Sequence, residues 1–392
     1  MKLACQYRLK PNRTQEKILA TLLAVACRLY NDALAERKDA WEQERRTVTY
    51  LEQAGKLKTL RETDKEVALL NFSAAQHVLR RLDKAFRRFF KAIQSGQKVG
   101  YPRFKKPHRF RTLEFTYGDG TKIKPDERGR LRLSLQNVGL VRVIWHRPLP
   151  EPAVIKQVWV TRKVDGWSAT FALEVPDERL REPLPPTGKA IGMDVGVENL
   201  LALSDGRLVD NPKWLKKIET KIAEKQRILS KKVKGSKRGK RMCRQIAKLH
   251  LKVARQRRDV YWKLAAELVR EHDLICVEDL TIKGLAQGNL SKSVLDAGWS
   301  VLLTHILPDK AWRAGREVIA VPANGTSQRC ARCGSPVPKD LSVRWHDCPH
   351  CRLSVHRDIN SALLILTLGL ERARRDGCLP SCLHEAEGES QR

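Results

Sequence analysis

The clearest chemical pattern in the sequence is two CxxC pairs near its carboxyl end. Cys330 and Cys333 form the first pair, Cys348 and Cys351 form the second, and fourteen residues separate the pairs. This spacing is typical of a zinc site in which four thiolates form a closed shell, with Gly334 in the turn after the first pair. An iron–sulfur cluster or a redox dithiol is the alternative. We predict a structural Zn²⁺ with no open position for water.

Three acidic residues interrupt apolar stretches that lie far apart in the chain. Asp194 is inside IGMDVG, Glu278 ends the apolar part of LICVEDL, and Asp358 precedes INSALLIL. Each alone could be an ordinary cap or ion-pair partner, but an unpaired carboxylate in such a place is costly. If the three converge, divalent cations would relieve their repulsion, and oxygen ligands suit Mg²⁺ or Mn²⁺. Two ions about 3.5–4 Å apart could clamp the attacking water and the leaving oxygen of a phosphodiester.

The charge balance indicates a polyanionic partner. The chain of 392 residues has 76 lysines and arginines against 44 acidic residues, a formal net charge of +32. An anionic membrane is the rival partner, but the sequence has neither an apolar run of 18 residues nor a signal-peptide pattern. We expect no membrane contact and a cytoplasmic, nucleoid-associated protein.

More than half of the net charge lies on one segment. Between Lys213 and Arg258 there are 19 lysines and arginines and two acids. Apolar residues at helical spacing predict a helical hairpin over about 212–272, broken by KGSKRGK. Its charged face is either merely solvated or in contact with the phosphates of a nucleic acid, which we predict. The candidate contacts are Lys231, Lys232, Lys237 and Arg238.

The amino-terminal half combines helices with a small β unit. A strand-like piece is followed by a helix, and a second helix, NFSAAQHVLRRLDKAFRRFFKAI, has an apolar stripe. The basic face of this second helix is either solvated or in contact with nucleic acid, and it holds Arg80 and Arg87. After about Gly100, period-two alternation and the Asp165-Gly166 turn predict antiparallel strands. The segment EVPDERLREPLPPTG resembles a linker.

The carboxyl-terminal half has an α/β pattern around the three acids. GKAIGMDVG and NLLALSDGRLV are predicted strands, as are LICVEDL and REVIAVP, and INSALLILTLGL is a predicted helix. From Glu371 the polar composition predicts a disordered tail. Cys378 and Cys382 would be free thiols there, with a second metal site as the alternative.

Four motifs, in this order, resemble the TnpB family of transposon-encoded RNA-guided DNA nucleases, which are related to compact type V CRISPR effectors. They are GMDVGVENLLALSDG, ICVEDLTIKGL, TSQRCARCG with CPHC, and HRDINSALLIL. The resemblance covers roughly residues 1–370 and implies a multidomain α+β protein. Its RNase H-like (RuvC) α/β nuclease domain would carry Asp194, Glu278 and Asp358 and an inserted zinc ribbon. An amino-terminal wedge-like β-barrel would hold an inserted helical recognition lobe. The implied bounds are 1–10 and 97–187 for the barrel, 11–96 for the lobe, 188–328 and 354–370 for the nuclease domain, 329–353 for the ribbon and 371–392 for the tail.

The resemblance also implies a function. Such proteins bind a guide RNA made from the transposon end, unwind double-stranded DNA beside a short adjacent motif and cut it. We expect one protein per guide RNA. Base pairing supplies most of the sequence recognition, while the protein holds the backbones and recognises the short motif.

Some residues extend the resemblance and one departs from it. Gln76 falls where the family has a glutamine near the adjacent-motif duplex. Arg103 and Lys105 lie in GYPRFKKP, which is similar to the family's junction between helical and β parts, and are further candidate nucleic-acid contacts. His356 stands where the family more often has an acid, two residues before Asp358, which puts in doubt a helper role at that position.

Three other functions stay open at this point. A nuclease-silent RNA-guided repressor would need a damaged acidic trio, whereas all three acids are present. A transposase that joins DNA strands, or acts as an accessory to joining, would show a different pattern, with HUH and a catalytic tyrosine. A zinc-ribbon RNA-binding protein would leave the three acids unexplained.

Overall fold

The computed structural model describes residues 2–280, 291–323, 325–340 and 343–383. The chain divides into two compact units, Met1–Asp177 and Glu178–Arg392, and both mix helices with strands. This division lies ten residues before the boundary at 187/188 that the sequence analysis predicts. Residues 178–187 are no free linker: the Glu182 amide donates to the Arg313 carbonyl at 2.7 Å, and the Thr187 amide donates to Asp273 at 2.8 Å. Hydrogen bonds from its backbone amides to distant residues hold this proline-rich stretch in place. The local composition, which suggested a linker, contains no sign of these bonds.

A seven-stranded antiparallel sheet forms the first unit's framework, with strand order β2-β6-β7-β1-β5-β4-β3. The sequence patterns predicted β1, β4, β6 and β7, and the hairpin between β6 and β7 is confirmed. Lys163 pairs with Gly166, whose φ of 136° favours glycine, so Val164 and Asp165 form the loop. The strands are β1 (Lys2–Lys10), β2 (Thr112–Thr116), β3 (Thr121–Pro125), β4 (Leu131–Leu135), β5 (Gly139–Ile144), β6 (Val154–Lys163) and β7 (Gly166–Glu174).

Four helices lie between β1 and β2 in the chain. Buried Arg37 ties three of them together: it donates to Gln53 at 2.9 Å, pairs with Asp83 at 3.5 Å and lies over the Phe86 ring at 5.1 Å. Arg37 is thus a buried charge that pairs with an acid and an amide. The helices are α1 (Arg13–Glu44), α2 (Tyr50–Thr63), α3 (Lys65–Ala68) and α4 (Phe72–Gln94).

Among the described residues, α1 is the one helix long and apolar enough to cross a membrane by length and composition. Of its most apolar stretch, 56% is buried inside the structure. Leu19, Ala26 and Leu34 are completely covered, so α1 has the features of a core helix.

The second unit contains a five-stranded sheet in the order β10-β9-β8-β11-β12. β8, β11 and β12 run parallel, and β9 and β10 are antiparallel additions at one edge. Parallel strands buried on both faces have continuous apolar sequences, which is why AIGMDV and LICVED are so rich in aliphatic residues. The strands are β8 (Ala190–Val195), β9 (Asn199–Leu203), β10 (Leu208–Asp210), β11 (Leu274–Asp279) and β12 (Glu317–Pro322).

Helices cover this sheet, and the predicted basic hairpin is confirmed as α5 and α6. The α6 side chains Val253, Tyr261, Ala265 and Leu268 are buried in the core beside the sheet. A π-helical turn, Leu302–Ile306, joins α8 to α9. The helices are α5 (Glu219–Ser230), α6 (Lys237–Glu271), α7 (Ser291–Ala297), α8 (Trp299–Val301), α9 (Leu307–Ala314) and α10 (Arg357–Arg375).

The prediction of a disordered tail from Glu371 is wrong for residues 371–383. Helix α10 ends at Arg375, and Leu379 and Leu383 are 8% and 7% exposed in an apolar cluster with residues of β11 and β12. Cys382 Sγ lies 3.1 Å from Asp273. Two leucines in a polar sequence are enough to pack this segment when a matching apolar surface is present. Residues 384–392 lie outside the described part of the chain.

Candidate functional site

The strand register brings two of the three acids side by side. Met193 of β8 lies opposite Val277 of β11 in a parallel pair. The next residues, Asp194 and Glu278, therefore lie side by side near the carboxyl ends of these adjacent strands. Both side chains are partly buried.

A glycine contact brings the third acid to the same place. Helix α10 packs so closely on β8 that a Cβ on Gly192 would fall 2.0 Å from the Ala362 carbonyl oxygen. Only glycine permits this approach of helix to strand. Asp358 lies in the first turn of α10, so the close packing carries its carboxylate toward the strand ends.

Glu278 and Asp358 lie close enough to Asp194 for their charges to affect its titration. Burial, and then the charges of Glu278 and Asp358, raise the pKa of Asp194 well above its ordinary value, while Arg357 opposes the shift. Burial also raises the pKa of Glu278, against a hydrogen bond from Thr326 that lowers it. The structure thus brings together all three predicted acids, which lie far apart in the chain, with Arg357 as a nearby cation.

The oxygen-only donor set fits divalent cations, but the carboxylates are not closely gathered. Among the described residues, the four cysteines are the one group of potential metal ligands with all ligand atoms within 4.8 Å of one another. The trio is spaced more widely than that. Two ions about 3.5–4 Å apart tolerate such spacing, because different carboxylates then bind different ions.

Neighbouring polar groups hold Asp358. Asn199 Nδ2 donates to Asp358 Oδ2 at 3.4 Å, and Arg357 Nε is 3.8 Å from Asp358 Oδ1. His356 caps α10, because its Nδ1 accepts a hydrogen bond from the Asp358 amide at 3.2 Å. At position 356, where the family more often has an acid, this chain thus has a histidine that caps α10.

A cleft of about 720 Å³ opens beside Asp358. Its walls mix basic and acidic side chains, and some of these are paired across it, such as Arg344 with Glu198 at 2.7 Å. A cleft of mixed charge with a surplus of cations suits an anionic strand rather than a small apolar ligand. The basic residues lining it are Lys213, Lys216, Lys292, Arg344 and Arg357.

The four predicted zinc ligands form one cluster. Cys330 and Cys351 have their Sγ atoms 3.5 Å apart, and Cys333 and Cys348 have theirs 3.6 Å apart. A tetrahedral ion with Zn–S bonds of about 2.3 Å would place its sulfurs about 3.8 Å apart. The cluster therefore fits a four-thiolate zinc site.

Two similar turns present these cysteines. The Cys330 carbonyl accepts from the Gly334 amide, and the Cys348 carbonyl accepts from the Arg352 amide, both at 2.9 Å. Gly334 has a φ of 72° and Arg352 a φ of 63°, so only the first turn uses the residue that this conformation favours. Hydrogen bonds from Ser335 lower the pKa of Cys333 to about 6, which favours the thiolate that binds metal.

The residues predicted to contact nucleic acid are mostly exposed. Gln76 is half-buried, and two arginines already have protein partners: Arg80 donates to the Tyr50 hydroxyl at 3.0 Å, and Arg87 pairs with Asp83 at 2.8 Å. Their roles stay predictions. The exposed members are Arg80, Arg87, Arg103, Lys105, Lys231, Lys232, Lys237 and Arg238.

A row of basic residues that no sequence motif indicates crosses the sheet of the first unit. Lys10 lies opposite Arg142, Arg142 opposite Arg132, and Arg132 opposite Lys124, on four adjacent strands. Directly opposed like charges destabilise a sheet, and Asp126 offsets part of this by pairing with Arg132 at 2.8 Å. Only the register reveals this alignment, because the four residues are scattered in the sequence.

Models of three protein families match parts of the chain. Residues 170–289 match a family described as "Probable transposase", residues 302–365 match "Cas12f1-like, TNB domain", and residues 1–46 match "Helix-turn-helix domain". Residues 2–46 form β1 and α1 in this structure, followed by the first residues of a loop, and not two helices joined by a turn.

Two relatives match nearly the whole chain, and both carry provisional names as RNA-guided DNA endonucleases. The Streptomyces pristinaespiralis protein is 32% identical over 388 residues, which cover 97% of this chain and 92% of the relative. InsQ of Escherichia coli strain K12 is 30% identical over 387 residues, which cover 93% of this chain and 92% of the relative. A solved structure of the mini-RNA-guided endonuclease CRISPR-Cas phi3 has 10% identity and a TM-score of 0.45, covering 94% of this chain and 92% of its own. With 32% identity over almost its full length, the chain belongs to the TnpB family.

Proposed function

We propose that this protein is an RNA-guided DNA endonuclease whose nuclease site is formed by Asp194, Glu278 and Asp358. The observation that carries the proposal is the convergence of these acids: Asp194 and Glu278 lie on adjacent parallel strands, and the close packing of α10 on β8 brings Asp358 toward them. Burial, and then the charges of Glu278 and Asp358, raise the pKa of Asp194. Such a site is stabilised by divalent cations. The provisional names of the two relatives support the same activity.

The three carboxylates would hold Mg²⁺ or Mn²⁺ ions, which when bound supply a nucleophile from water and stabilise the leaving oxygen. Asn199 orients Asp358, and Thr326 orients Glu278. The basic residues of the cleft hold the phosphates of the strand next to Asp358. The chain's own contribution is therefore to place acids, amides and cations around one phosphodiester.

The proposed fold follows the same family. The five-stranded sheet with α10 against β8 supports an RNase H-like, RuvC-type nuclease domain, and the four-cysteine cluster supports a zinc ribbon inserted before α10. The sheet of the first unit supports a wedge-like barrel, with α1 to α4 as its inserted recognition lobe. The zinc would be structural, since four thiolates leave no open coordination position.

The partners in this proposal are a guide RNA from the transposon end and double-stranded DNA with a short adjacent motif, with one protein per guide RNA. The basic row and the exposed cations of α5 and α6 support polyanion binding by both units. A cytoplasmic, nucleoid-associated location belongs to the same proposal.

The test is cleavage by the full chain purified with its RNA. The RNA that co-purifies is sequenced, a plasmid complementary to its guide part is built with a library of flanking sequences, and cutting is measured with Mg²⁺ and with EDTA. We expect Mg²⁺-dependent cutting of plasmids that carry one short flanking motif. Protein without bound RNA, or cutting that ignores the guide, would refute the proposal.

A further inference from the structure

The stretch that carries the four cysteines is connected at both ends to elements of the acidic site. This cysteine segment, residues 325–356, starts three residues after β12 and runs directly into α10. β12 pairs with β11, with Val321 opposite Glu278. Asp358 is the second residue of α10.

At its entry, the cysteine segment contacts the second carboxylate. Thr326 is 3% exposed, and its hydroxyl makes a hydrogen bond to Glu278 Oε1. Thr326 lies four residues before Cys330 in the chain. A partly buried carboxylate that accepts such a bond has a fixed orientation, which a metal ligand needs.

At its exit, a buried amide joins the segment to the helix of the third carboxylate. Asn360 is completely inaccessible; its Nδ2 donates to the Arg329 carbonyl at 2.7 Å, and its Oδ1 accepts from the Ala331 amide at 3.0 Å. These two backbone groups flank Cys330. The side chain of Asn360, two residues from Asp358, therefore depends on the shape of the first cysteine turn.

A second contact joins the far part of the segment to the same helix. Arg357 is 7% exposed, and its Nη1 donates to the carbonyls of Asp340 and Val343, both at 2.9 Å. Its Nε lies 3.8 Å from Asp358 Oδ1. Arg357 thus links the stretch before the second cysteine pair to the catalytic carboxylate.

The cysteine segment has little other means of holding its shape. Among its described residues, Thr326, Cys330, His346 and Cys348 are the buried ones, and its regular strands are two pieces of three residues, Trp345–Asp347 and Ser354–His356. So small an apolar core does not fold stably by itself, and a metal is the usual remedy. A zinc ion bound by the four sulfurs would hold the two turns together, and with them the contacts to Thr326, Asn360 and Arg357.

We propose that Thr326 and Asn360 are positioning residues, through which the zinc-bound cysteine segment sets the geometry of Glu278 and Asp358 and hence the divalent-cation affinity of the nuclease site. The proposal rests on the proposed function, since it concerns the same carboxylates. The cysteine segment would then act on the two carboxylates in different ways: the Thr326 hydroxyl orients Glu278 directly, whereas the contacts with Asn360 and Arg357 fix the start of the helix that carries Asp358. Asp194, held by its own strand, is outside this coupling.

Thr326→Val is the sharpest test, because it removes the hydroxyl and keeps the shape of the side chain. Thr326→Ser restores the hydroxyl, and Thr367→Val makes the same chemical change on the exposed side of α10. Binding of Mn²⁺ to the zinc-loaded full chain with its RNA is measured by calorimetry and electron paramagnetic resonance, together with zinc content. We expect Thr326→Val to weaken Mn²⁺ binding by about 10–100-fold with zinc content unchanged, and the other two variants to resemble wild type.

Wild-type Mn²⁺ affinity in Thr326→Val would overturn the proposal. If that variant does not yield folded protein, Asn360→Ala decides by the same measurement, with weaker Mn²⁺ binding at full zinc content expected and unchanged binding contrary to the proposal. Glu278→Gln separates the two levels of inference. Equal Mn²⁺ binding by wild type and Glu278→Gln would refute the proposed nuclease site itself, whereas a loss in Glu278→Gln with none in the positioning variants would refute the coupling alone.

Discussion

The cysteine cluster and the acidic trio are two potential metal sites built on opposite principles. The cysteines come from two similar turns within one short segment, and their sulfurs lie within 4.8 Å of one another. The acids come from two strands and a helix, are spaced more widely and repel one another. A closed site made by local turns suits a structural ion, whereas an open site made by tertiary packing leaves coordination positions for a reaction.

The largest effect should come from removing a carboxylate of the trio. Asp194→Asn, Glu278→Gln and Asp358→Asn should each lower the rate of DNA cutting by on the order of 10³-fold or more, because each removes a proposed cation ligand while keeping the shape of the side chain. Guided DNA binding should remain nearly intact. Single-turnover cleavage and filter binding measure the two properties.

Asp205→Asn is the control, since this acid lies in the turn after β9 and pairs with Arg207 at 2.7 Å. It should cut like wild type. Wild-type cutting by any one variant of the trio would show that its residue is not part of the nuclease site. The proposed difference between the acidic site and the cysteine cluster would then fail for that residue.

Loss of a cysteine ligand should act on folding. Cys330→Ser and Cys348→Ser should lower bound zinc and the melting temperature, because binding such an ion contributes on the order of 10 kcal/mol to the folding of small zinc domains. Elemental analysis and calorimetry measure this. Cys243→Ser, at an exposed position on α6, should keep all its zinc. An iron–sulfur absorption band, or no zinc in the wild-type protein, would contradict the assignment.

Basic residues on the α5–α6 hairpin should act on nucleic-acid affinity and its salt dependence. Replacing Lys231, Lys232, Lys237 and Arg238 by glutamine should flatten the slope of log affinity against log salt by up to about 3–4, since each phosphate contact contributes about 0.7–0.9. The preferred adjacent motif should not change, because phosphate contacts carry no base information. Guide-RNA affinity across a salt series measures the slope.

The matched control removes the same number of charges from lysines that already pair with acids. Their neutralisation should leave the slope nearly unchanged, because they have protein partners. Equal slopes for the hairpin variant and wild type would show that the hairpin is only a solvated surface. The control set is Lys38, Lys56, Lys156 and Lys263.

In the absence of divalent cations, the charge of Asp194 should lower the free energy of unfolding of the protein. The pKa of Asp194 is raised in the folded chain, so folding binds protons there, and the free energy of unfolding should fall as the pH rises from about 4 toward neutrality. Asp194→Asn should abolish this part of the pH dependence and raise stability at pH 7 by on the order of 1 kcal/mol. Mg²⁺ should stabilise wild type more than the variant. Thermal unfolding across a pH series measures both effects, and identical profiles for the two proteins would contradict the burial of an unbalanced charge.

The smallest expected effect is on the free energy of unfolding, when the left-handed residue of each cysteine turn is replaced. Gly334→Ala should destabilise the protein by about 1 kcal/mol, because its φ of 72° is unfavourable for a residue with a Cβ. Arg352→Gly should relieve the same strain at a φ of 63°, for a net gain of less than about 1 kcal/mol after the added flexibility of the unfolded chain. Opposite signs in chemical denaturation would confirm that the turns share one geometry, and a loss of stability in Arg352→Gly would show a role for its side chain.

The sequence by itself determined the features that depend on neighbouring residues. The cysteine spacing predicted the cluster, because each pair needs only one turn to present both sulfurs. Periodicity predicted β8, β11 and α10, and an acid interrupting each apolar stretch marked Asp194, Glu278 and Asp358. The packing of residues 178–187 and of Leu379 and Leu383 was missed, because the surfaces that hold them come from distant parts of the chain.

Only the tertiary structure decided which side chains meet. The parallel register of Met193 with Val277 puts two carboxylates side by side, and the contact at Gly192 brings the third. Strand register also aligns the basic row, which contains Lys10, Arg142 and one basic residue from each of two further strands. Register and helix approach are set by the sum of many packing contacts over the whole sheet, and no local stretch of sequence contains that sum.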